Sequence, residues 1–382
     1  MKLEVKLTSK SSADGIYKVT AKGCIAASLY WADEEGALPD WTAFAYVPVL
    51  PNGTGTFRYV GGRTIPPGAE YVLARAVYPD FMHTDEVMLK IPDEQKPTAA
   101  EEGVSFCLMS DMHLSNKPWK IKQALLCAPN TVLIAGDLVN DGTPEQLQSM
   151  SDILAGLDRP VFAVSGNHDY PIEPLVYCGQ RCDSQAALQA GLLKRAAEDG
   201  YEIECDESGA YAARKGNIEI IGLNIASHWR KFDFSQGEQL RWLEAHLDSE
   251  GGARWRIILC HAPLIAHNPQ RPPSGTPYFG RNKALQSIIN SHRGIIFVSG
   301  HTHISPNDYS GCVEFDCSNR NIYINDGSIC PTTYKSKEPL AAAEWTDGVV
   351  TDLVLGSSTV EVCARSLADG RKIARGYYSY EF

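Results

Sequence analysis

Carboxylate, carboxamide and imidazole side chains follow five short apolar runs of this chain, at or just after the point where each run ends. The runs cover residues 104–110, 131–136, 161–166, 256–260 and 294–300. The polar residues that follow them are Asp111, His113, Asp137, Asn167, His168, His261, His301 and His303. Such apolar runs predict buried strands, and in α/β proteins binding sites form at the carboxyl ends of strands. The sequence therefore predicts that these side chains meet in one site.

The donor types indicate the chemistry of this site. Oxygen and nitrogen donors without a thiolate suit Mn, Fe, Zn or Mg better than a structural zinc. Two groups can each hold an ion: Asp111, His113 and His303 in one, and Asn167, His261 and His301 in the other. Asp137 can bridge them, because a carboxylate has two oxygens. Two ions about 3.5–4 Å apart would activate a bridging water and stabilise both the attacking and the leaving oxygen of a phosphoryl displacement.

Length and composition limit the class of protein. The chain has 382 residues, enough for two or three domains, and 44% of them are hydrophobic. The net charge of -11 argues against a nucleic-acid surface, although bound divalent ions would still allow an anionic substrate. No apolar run reaches the ~18 residues of a membrane span. Residues 1–6 lack the apolar segment of a signal peptide, which predicts a cytoplasmic protein or one whose leader has been removed.

The elements that must position the polar residues divide the chain in two. Short β-type runs in residues 1–97, separated by Gly, Pro, Asp and Asn, predict a small antiparallel sandwich that resembles fibronectin type III or immunoglobulin-like domains. A polar connector follows at residues 92–102. Residues 98–382 alternate strands with helical patterns and predict an α/β domain. Helices are predicted at 119–126, 143–157, 184–198 and 235–247. Runs at 322–325, 349–355, 359–364 and 370–379 are expected to complete a second sheet.

The five blocks, in this order, resemble the signature blocks of the calcineurin-like metallophosphoesterase superfamily over residues 104–305. The resemblance implies a four-layer α/β/β/α sandwich with a two-metal centre at the strand ends. It assigns Asp111, His113, Asp137 and His303 to the first ion, and Asp137, Asn167, His261 and His301 to the second. It gives His168 the role of transition-state stabiliser and proton donor. Mn, Fe or Zn are the ions expected.

Departures from the family pattern reduce the range of substrates and metal centres to be expected. Asn140 and Asp141 stand where the protein-phosphatase branch has an acid followed by Arg, and Asp169 and Tyr170 stand where that branch has Glu and a nearby Arg. A phosphoprotein substrate is therefore not expected. The resemblance also extends to purple acid phosphatases, which join a β-sandwich to this fold but need a Tyr ligand at the position of Asn140. The purple centre is not expected either.

The resulting prediction is a hydrolase of a small-molecule phosphate ester, with a phosphodiesterase preferred over a phosphomonoesterase. Asn140, His228 and Arg281 are predicted to contact the substrate, because they lie in loops near the strand ends. Two other classes of function remain open. The fold can serve as a non-catalytic interaction surface, or the β-sandwich of residues 1–97 can be the binding module for a glycan or a protein.

Overall fold

A computed structural model gives the architecture of the protein. It describes residues 3–8, 15–58, 63–80, 85–92, 103–114, 118–170, 183–225, 232, 234–249, 253–264, 282–303, 306, 312–330 and 348–382. The predicted connector at 92–102 lies outside these residues apart from Pro92. None of the described helices has the length and hydrophobicity needed to span a bilayer. The nine described cysteines form no disulfide with one another.

The N-terminal part is all-β, as its alternating pattern predicts. Its strands are β1 (Glu4–Leu7), β2 (Ile16–Thr20), β3 (Ala26–Ala32), β4 (Ala45–Pro48), β5 (Thr54–Arg58), β6 (Tyr71–Val77) and β7 (Glu86–Lys90). They form a three-stranded sheet, β1-β2-β5, and a four-stranded sheet, β4-β3-β6-β7. Strands such as β5 alternate exposed and buried residues, so each sheet turns one face to a shared core. In that core the rings of Trp31 and Phe44 stack with their centroids 4.4 Å apart.

The first sheet of the α/β part has six strands, in the order β10-β9-β8-β18-β19-β20. Its strands are β8 (Val104–Met109), β9 (Thr131–Ile134), β10 (Val161–Ala163), β18 (Val349–Leu355), β19 (Thr359–Ser366) and β20 (Lys372–Glu381). The first three are parallel, so their carboxyl ends share one edge. β18 adds antiparallel to the open side of β8, with Thr351 opposite Leu108.

The second sheet has seven strands, in the order β11-β12-β13-β14-β15-β17-β16. They are β11 (Glu202–Cys205), β12 (Tyr211–Lys215), β13 (Ile218–Leu223), β14 (Trp255–Cys260), β15 (Ile295–Ser299), β16 (Val313–Asp316) and β17 (Asn321–Asn325). The expectation that the four late β-runs complete one sheet together is wrong. Only β17 joins this sheet, whereas β18, β19 and β20 join the first, because the open edge of β8 offers the unpaired backbone groups that β18 needs.

Helices cover the outer faces of both sheets. They are α1 (Pro118–Leu126), α2 (Pro144–Ala155), α3 (Asp183–Glu198), α4 (Glu238–Asp248) and α5 (Lys283–Ser291). Apolar side chains of α1, α2 and α3 pack on the first sheet, and those of α4 and α5 pack on the second. The inner faces of the two sheets enclose a third apolar layer that includes Phe106, Leu133 and Ile257. The order helix, sheet, sheet, helix is the four-layer α/β/β/α sandwich that the sequence predicts.

The last strand connects the two parts of the protein. Ala374 and Tyr377 of β20 belong to the hydrophobic core of the N-terminal sheets. The ring of Tyr377 meets that of Trp41 edge-on, with centroids 5.3 Å apart. The buried Arg63 donates from Nε to the carbonyl oxygen of Arg375 at 2.9 Å. The N-terminal sheets therefore pack directly on the six-stranded sheet through β20.

Candidate metal centre

Side chains from both sheets converge where their carboxyl edges meet. Three groups place one ligand atom per residue within 4.8 Å of the others: Asp111, His113 and His303; His113, Asp137 and His168; Asp137, His261 and His301. The first sheet supplies the aspartates, and the loops after β14 and β15 of the second supply His261, His301 and His303. Shared members join the three groups into one cluster, which contains at least one residue from each of the five predicted strand ends.

The backbone of the site is strained at five of the predicted ligand positions. Five of these residues have positive φ angles: Asp111 (50°), His113 (44°), Asp137 (53°), His301 (69°) and His303 (49°). A left-handed residue other than glycine costs about 1–2 kcal/mol. Such conformations persist where surrounding structure enforces them, and they concentrate at functional sites. The sharp turns aim the side chains of neighbouring strand ends at one point.

Asp137 lies at the centre of the cluster. Its Oδ2 is 3.2 Å from Nε2 of His261 and 3.7 Å from Nε2 of His113, and its Oδ1 accepts the backbone N–H of His168 at 2.8 Å. Burial would raise the pKa of Asp137, but the neighbouring His261 and His113 outweigh burial and lower it. A Cβ on Gly166 would lie 2.2 Å from Asp137 Oδ1, so only glycine fits against this carboxylate. The carboxylate is thus held, ionised, between both sets of histidines.

Asp111 forms the other carboxylate of the centre. Its Oδ1 lies 3.0 Å from Nε2 of His303, and that nitrogen lies 3.3 Å from Nε2 of His113. Burial again opposes ionisation, but the charge and hydrogen bond of His303 bring the pKa of Asp111 down to about 2. The backbone N–H of His301 also donates to Asp111 Oδ2 at 3.0 Å. One ionised oxygen and two imidazole nitrogens therefore face a common point on this side.

The histidines on the other side are oriented as metal ligands commonly are. His261 is fully buried and donates from Nδ1 to the carbonyl oxygen of Ala135 at 2.7 Å, which turns Nε2 toward Asp137. An imidazole that ligates a metal usually makes such a bond with its other nitrogen. Nε2 of His261 is 3.2 Å from Nδ1 of His301, and burial together with His261 lowers the pKa of His301 to about 4. His301 is therefore neutral, whereas Asp137 outweighs burial, raises the pKa of His261 and keeps that ring protonated until a divalent ion replaces the proton.

Asn167 and His168 occupy the 3-10 turn Asn167–Asp169 that follows β10. Nδ1 of His168 lies 2.9 Å from the carbonyl oxygen of Asn140. A carbonyl only accepts, so Nδ1 carries the proton and Nε2 is the nitrogen that exchanges one. The ring of His168 meets that of His113 edge-on, with centroids 4.6 Å apart. The ring of His168 therefore faces the cluster, although His113 and Asp137 already connect the other two groups without it.

The three predicted substrate residues have different outcomes. Asn140 lies beside the centre, but its side chain donates to Asp141 Oδ1 at 2.9 Å and its backbone carbonyl serves His168. Asn140 thus contacts His168 through its backbone carbonyl and not through its side chain. His228 and Arg281 lie outside the described residues.

The structure adds residues that the sequence did not single out. Asp169 is buried and accepts the backbone N–H groups of Val139 at 2.9 Å and Gly166 at 2.7 Å, which ties the loops after β9 and β10 together. Burial and the charge of Asp137 raise the pKa of Asp169 to about 7. An acid directly after the Asn-His pair was the available signal. Phe232 meets the ring of His301 edge-on at 5.0 Å, and no sequence pattern indicates that contact.

Comparison with known proteins gives a family. The calcineurin-like phosphoesterase profile matches residues 104–305. A glycerophosphodiester phosphodiesterase, GpdQ, of Enterobacter lignolyticus is 28% identical over 175 residues, or 46% of this chain and 56% of the relative. A probable cyclic nucleotide phosphodiesterase of a Synechococcus species is 25% identical over 179 residues, or 46% of this chain and 58% of the relative. The chain thus spans little more than half the length of these curated relatives.

Among solved structures, a purple acid phosphatase from yellow lupin (Lupinus luteus) seeds is similar, with a TM-score of 0.49 and 16% identity. The similarity covers 99% of this chain and 74% of the plant protein.

Proposed function

This chain belongs to the calcineurin-like phosphoesterase family, and we propose that it is a two-metal phosphodiesterase acting on a small-molecule phosphate ester. The observation that carries the proposal is the continuous cluster in which Asp137 is shared between histidines on both of its sides. A carboxylate shared between two sets of imidazole nitrogens can bridge the two ions of a dinuclear site. Neither curated relative is matched over its full length, so the similarity supports the reaction class and not a particular substrate.

The residues present fit two ions. Asp111, His113 and His303 would hold the first together with Asp137, and Asp137, Asn167, His261 and His301 would hold the second. When bound, the ions supply Lewis-acid activation of water and neutralise charge on the phosphate. Asp111 and Asp137 are ionised, and in the metal-free protein they outweigh burial and raise the pKa values of their partners His303 and His261. A divalent cation would take the place of the protons on these two histidines.

His168 is the residue of this chain that would move a proton. With Nδ1 donating to Asn140, Nε2 of the protonated ring can deliver a proton to the departing alcohol oxygen. An alkoxide is a poor leaving group, and a positioned acid contributes about 10²–10⁴-fold to such a step. The backbone N–H of His168 meanwhile stays bonded to Asp137, so the acid is fixed relative to the bridging carboxylate.

A diester preference follows from charge. A phosphodiester carries one negative charge, whereas a monoester dianion carries two and needs more cationic contacts. The positions after the Asn-His pair hold Asp169 and Tyr170, not the Arg of the protein-phosphatase branch. The chain is also acidic, with a net charge of -11. The two curated relatives bear names of phosphodiesterases, which supports the same preference.

The test is a substrate panel on protein loaded with Mn²⁺. Bis-p-nitrophenyl phosphate, p-nitrophenyl phosphate, a glycerophosphodiester and a cyclic nucleotide should be compared by kcat/KM, with Asp137→Asn as the inactive control. We expect the diesters to be hydrolysed faster than the monoester. A wide margin in favour of the monoester would replace the phosphodiesterase with a phosphomonoesterase. Absence of hydrolysis of all four esters by the metal-loaded protein would point to the non-catalytic alternative.

A further inference from the structure

A second buried aspartate, Asp326, lies behind the candidate metal centre, directly after β17. We propose that Asp326 is a positioning residue, which acts through the hydroxyl of Ser110 to hold the Asp111 carboxylate in the orientation that ligates the first ion. The inference rests on the proposed two-metal function. It concerns metal binding by this chain, which can be measured without any turnover.

The Ser110 hydroxyl connects the two carboxyl groups. Its Oγ lies 2.5 Å from Oδ2 of Asp111 and 2.6 Å from Oδ1 of Asp326. All three residues are fully buried. Ser110 and Asp326 are separated by 216 residues in sequence, and they directly follow β8 and β17, which lie in different sheets. The contact therefore joins the two halves of the site directly behind one of its carboxylates.

The surrounding backbone fixes the residues of this contact. The backbone N–H of Asp326 donates to the carbonyl oxygen of Ser299 at 3.0 Å, and Thr351 donates from Oγ1 to the carbonyl oxygen of Asp326 at 3.0 Å. A Cβ on Gly300 would lie 2.6 Å from the Cβ of Ser110, so the turn before His301 must be glycine to admit this serine. Asp326 thus has little freedom to retreat from Ser110.

The loop after β17 also supports Asp111 through the main chain. The N–H of Ile329 donates to the carbonyl oxygen of Ser110, and that of Cys330 donates to the carbonyl oxygen of Asp111, both at 3.1 Å. The backbone of Asp111 is therefore held by residues 329–330 independently of the Ser110 hydroxyl. The Ser110 hydroxyl with Asp326 behind it, and the backbone N–H of His301, then set the orientation of the Asp111 side chain.

Counting donors shows what Asp326 contributes. A hydroxyl donates one hydrogen bond, yet Ser110 Oγ lies within hydrogen-bond distance of two carboxyl oxygens and, at 3.2 Å, of the carbonyl oxygen of Gly327. The two shorter contacts, those to the carboxyl groups, are both satisfied when Asp326 donates to Ser110 Oγ and Ser110 donates to Asp111 Oδ2. Burial and the charge of Asp111 raise the pKa of Asp326 well above its ordinary range, which agrees with this direction. Oδ2 of Asp326 is buried and has no hydrogen-bond partner within the described part of the chain, as suits a neutral carboxyl group better than a charged one.

The experiment compares Mn²⁺ binding by metal-free wild type, Asp326→Ala and Asp326→Asn, using calorimetry and the EPR signal of free Mn²⁺. Loss of a residue that orients a metal ligand weakens affinity about 10–100-fold, and we expect that loss at one of the two sites in Asp326→Ala. Asparagine should restore most of the affinity, because its amide N–H replaces the acid O–H as the donor to Ser110. Equal losses in the Ala and Asn variants would show that donation from residue 326 to Ser110 does not account for the affinity, and would overturn the proposal.

Two further variants separate positioning from packing. Thr351→Val removes a hydrogen bond to the backbone of the same aspartate but leaves Ser110 and Asp111 untouched, so its Mn²⁺ affinity should equal that of wild type. A loss as large as that of Asp326→Ala would assign the effect to local packing. If Asp326→Ala does not fold, Ser110→Ala should show the same loss at one site, and unchanged affinity there would refute the relay.

The outcomes also separate this inference from the proposed function. Wild type that binds two Mn²⁺ ions but hydrolyses no ester would contradict the function and leave the role of Asp326 intact. Unchanged affinity in Asp326→Ala, in an active protein, would contradict only the positioning role. Wild type that binds no Mn²⁺ would contradict both.

Discussion

Replacing His168 with alanine tests the proposed mechanism most directly. The substitution removes the imidazole, which donates to the Asn140 carbonyl and packs edge-on against His113. It keeps the backbone N–H that donates to Asp137 at 2.8 Å. His168 is only partly buried, so its loss opens no closed cavity in the core. The fold and the predicted metal ligands should therefore survive, and the change in rate should report on the imidazole of His168.

The size of the effect depends on the leaving group. An alkyl ester needs its departing oxygen protonated, and loss of general acid help costs about 10²–10⁴-fold. At 1.36 kcal/mol for each factor of ten, that is about 3–5 kcal/mol of transition-state stabilisation. Nitrophenolate leaves without a proton, so its loss should stay below about tenfold. The fold-decrease in kcat should thus be at least about ten times larger for the alkyl ester than for the nitrophenyl ester.

The assay measures kcat for a glycerophosphodiester and for bis-p-nitrophenyl phosphate, with wild type and His168→Ala loaded with Mn²⁺ and their metal content determined. His292→Ala is a suitable control, since that histidine pairs with Asp248 at 3.0 Å, away from the cluster. Equal losses on both esters would show that His168 acts through its charge or position rather than as an acid. Unchanged rates on both would remove it from the machinery.

Three further predictions follow from the same structure. Asp137→Asn should lower kcat by at least about 10²–10³-fold and reduce bound metal, as kinetics and elemental analysis would show; near-wild-type turnover would mean that the centre lies elsewhere. Burial opposes protonation of His261, but the Asp137 carboxylate raises its pKa from 6.5 to about 10 in the metal-free protein. The stabilisation is therefore complete below pH 6.5 and lost as pH rises through about 10, so the unfolding free energy of metal-free wild type should fall between pH 7 and 10 more steeply than that of Asp137→Asn. Trp41→Ala should cost about 3–5 kcal/mol of stability by denaturant titration, because its ring packs on Tyr377 of β20, whereas the exposed Trp119→Ala should cost little; equal costs would contradict the shared core.

Local patterns carried much of the prediction. Thr143 accepts the backbone N–H of Gln146 and Pro144 begins α2, so the predicted helix at 143–157 and the observed Pro144–Ala155 differ only at their ends. The apolar runs before Asp111 and Asp137 became β8 and β9 for the same reason, since each run and its terminating residue are contiguous in sequence. The convergence of these strand ends was predictable because parallel strands place their carboxyl ends at one edge.

Pairing between distant strands was less predictable. The sequence predicted strands correctly at 349–355, 359–364 and 370–379, but it assigned them to the wrong sheet. Strand composition does not specify which open edge a strand will join. β18 could pair with any strand whose backbone groups were unpaired, and the fold brought it to β8. The packing of β20 against Trp41 has the same origin, since neither segment carries a signal for the other.

The sequence by itself indicated the candidate donor residues, because they stand at fixed positions after the apolar runs, and the resemblance of the five blocks implied the family and its four-layer fold. Only the tertiary structure decided that Asp137 lies between histidines of two sheets, that the Asn140 carbonyl selects the tautomer of His168, and that Asp326 reaches Asp111 through Ser110. These contacts join residues far apart in the chain through single hydrogen-bonding atoms. Such placement depends on how the two sheets stack, and no run of neighbouring residues encodes it.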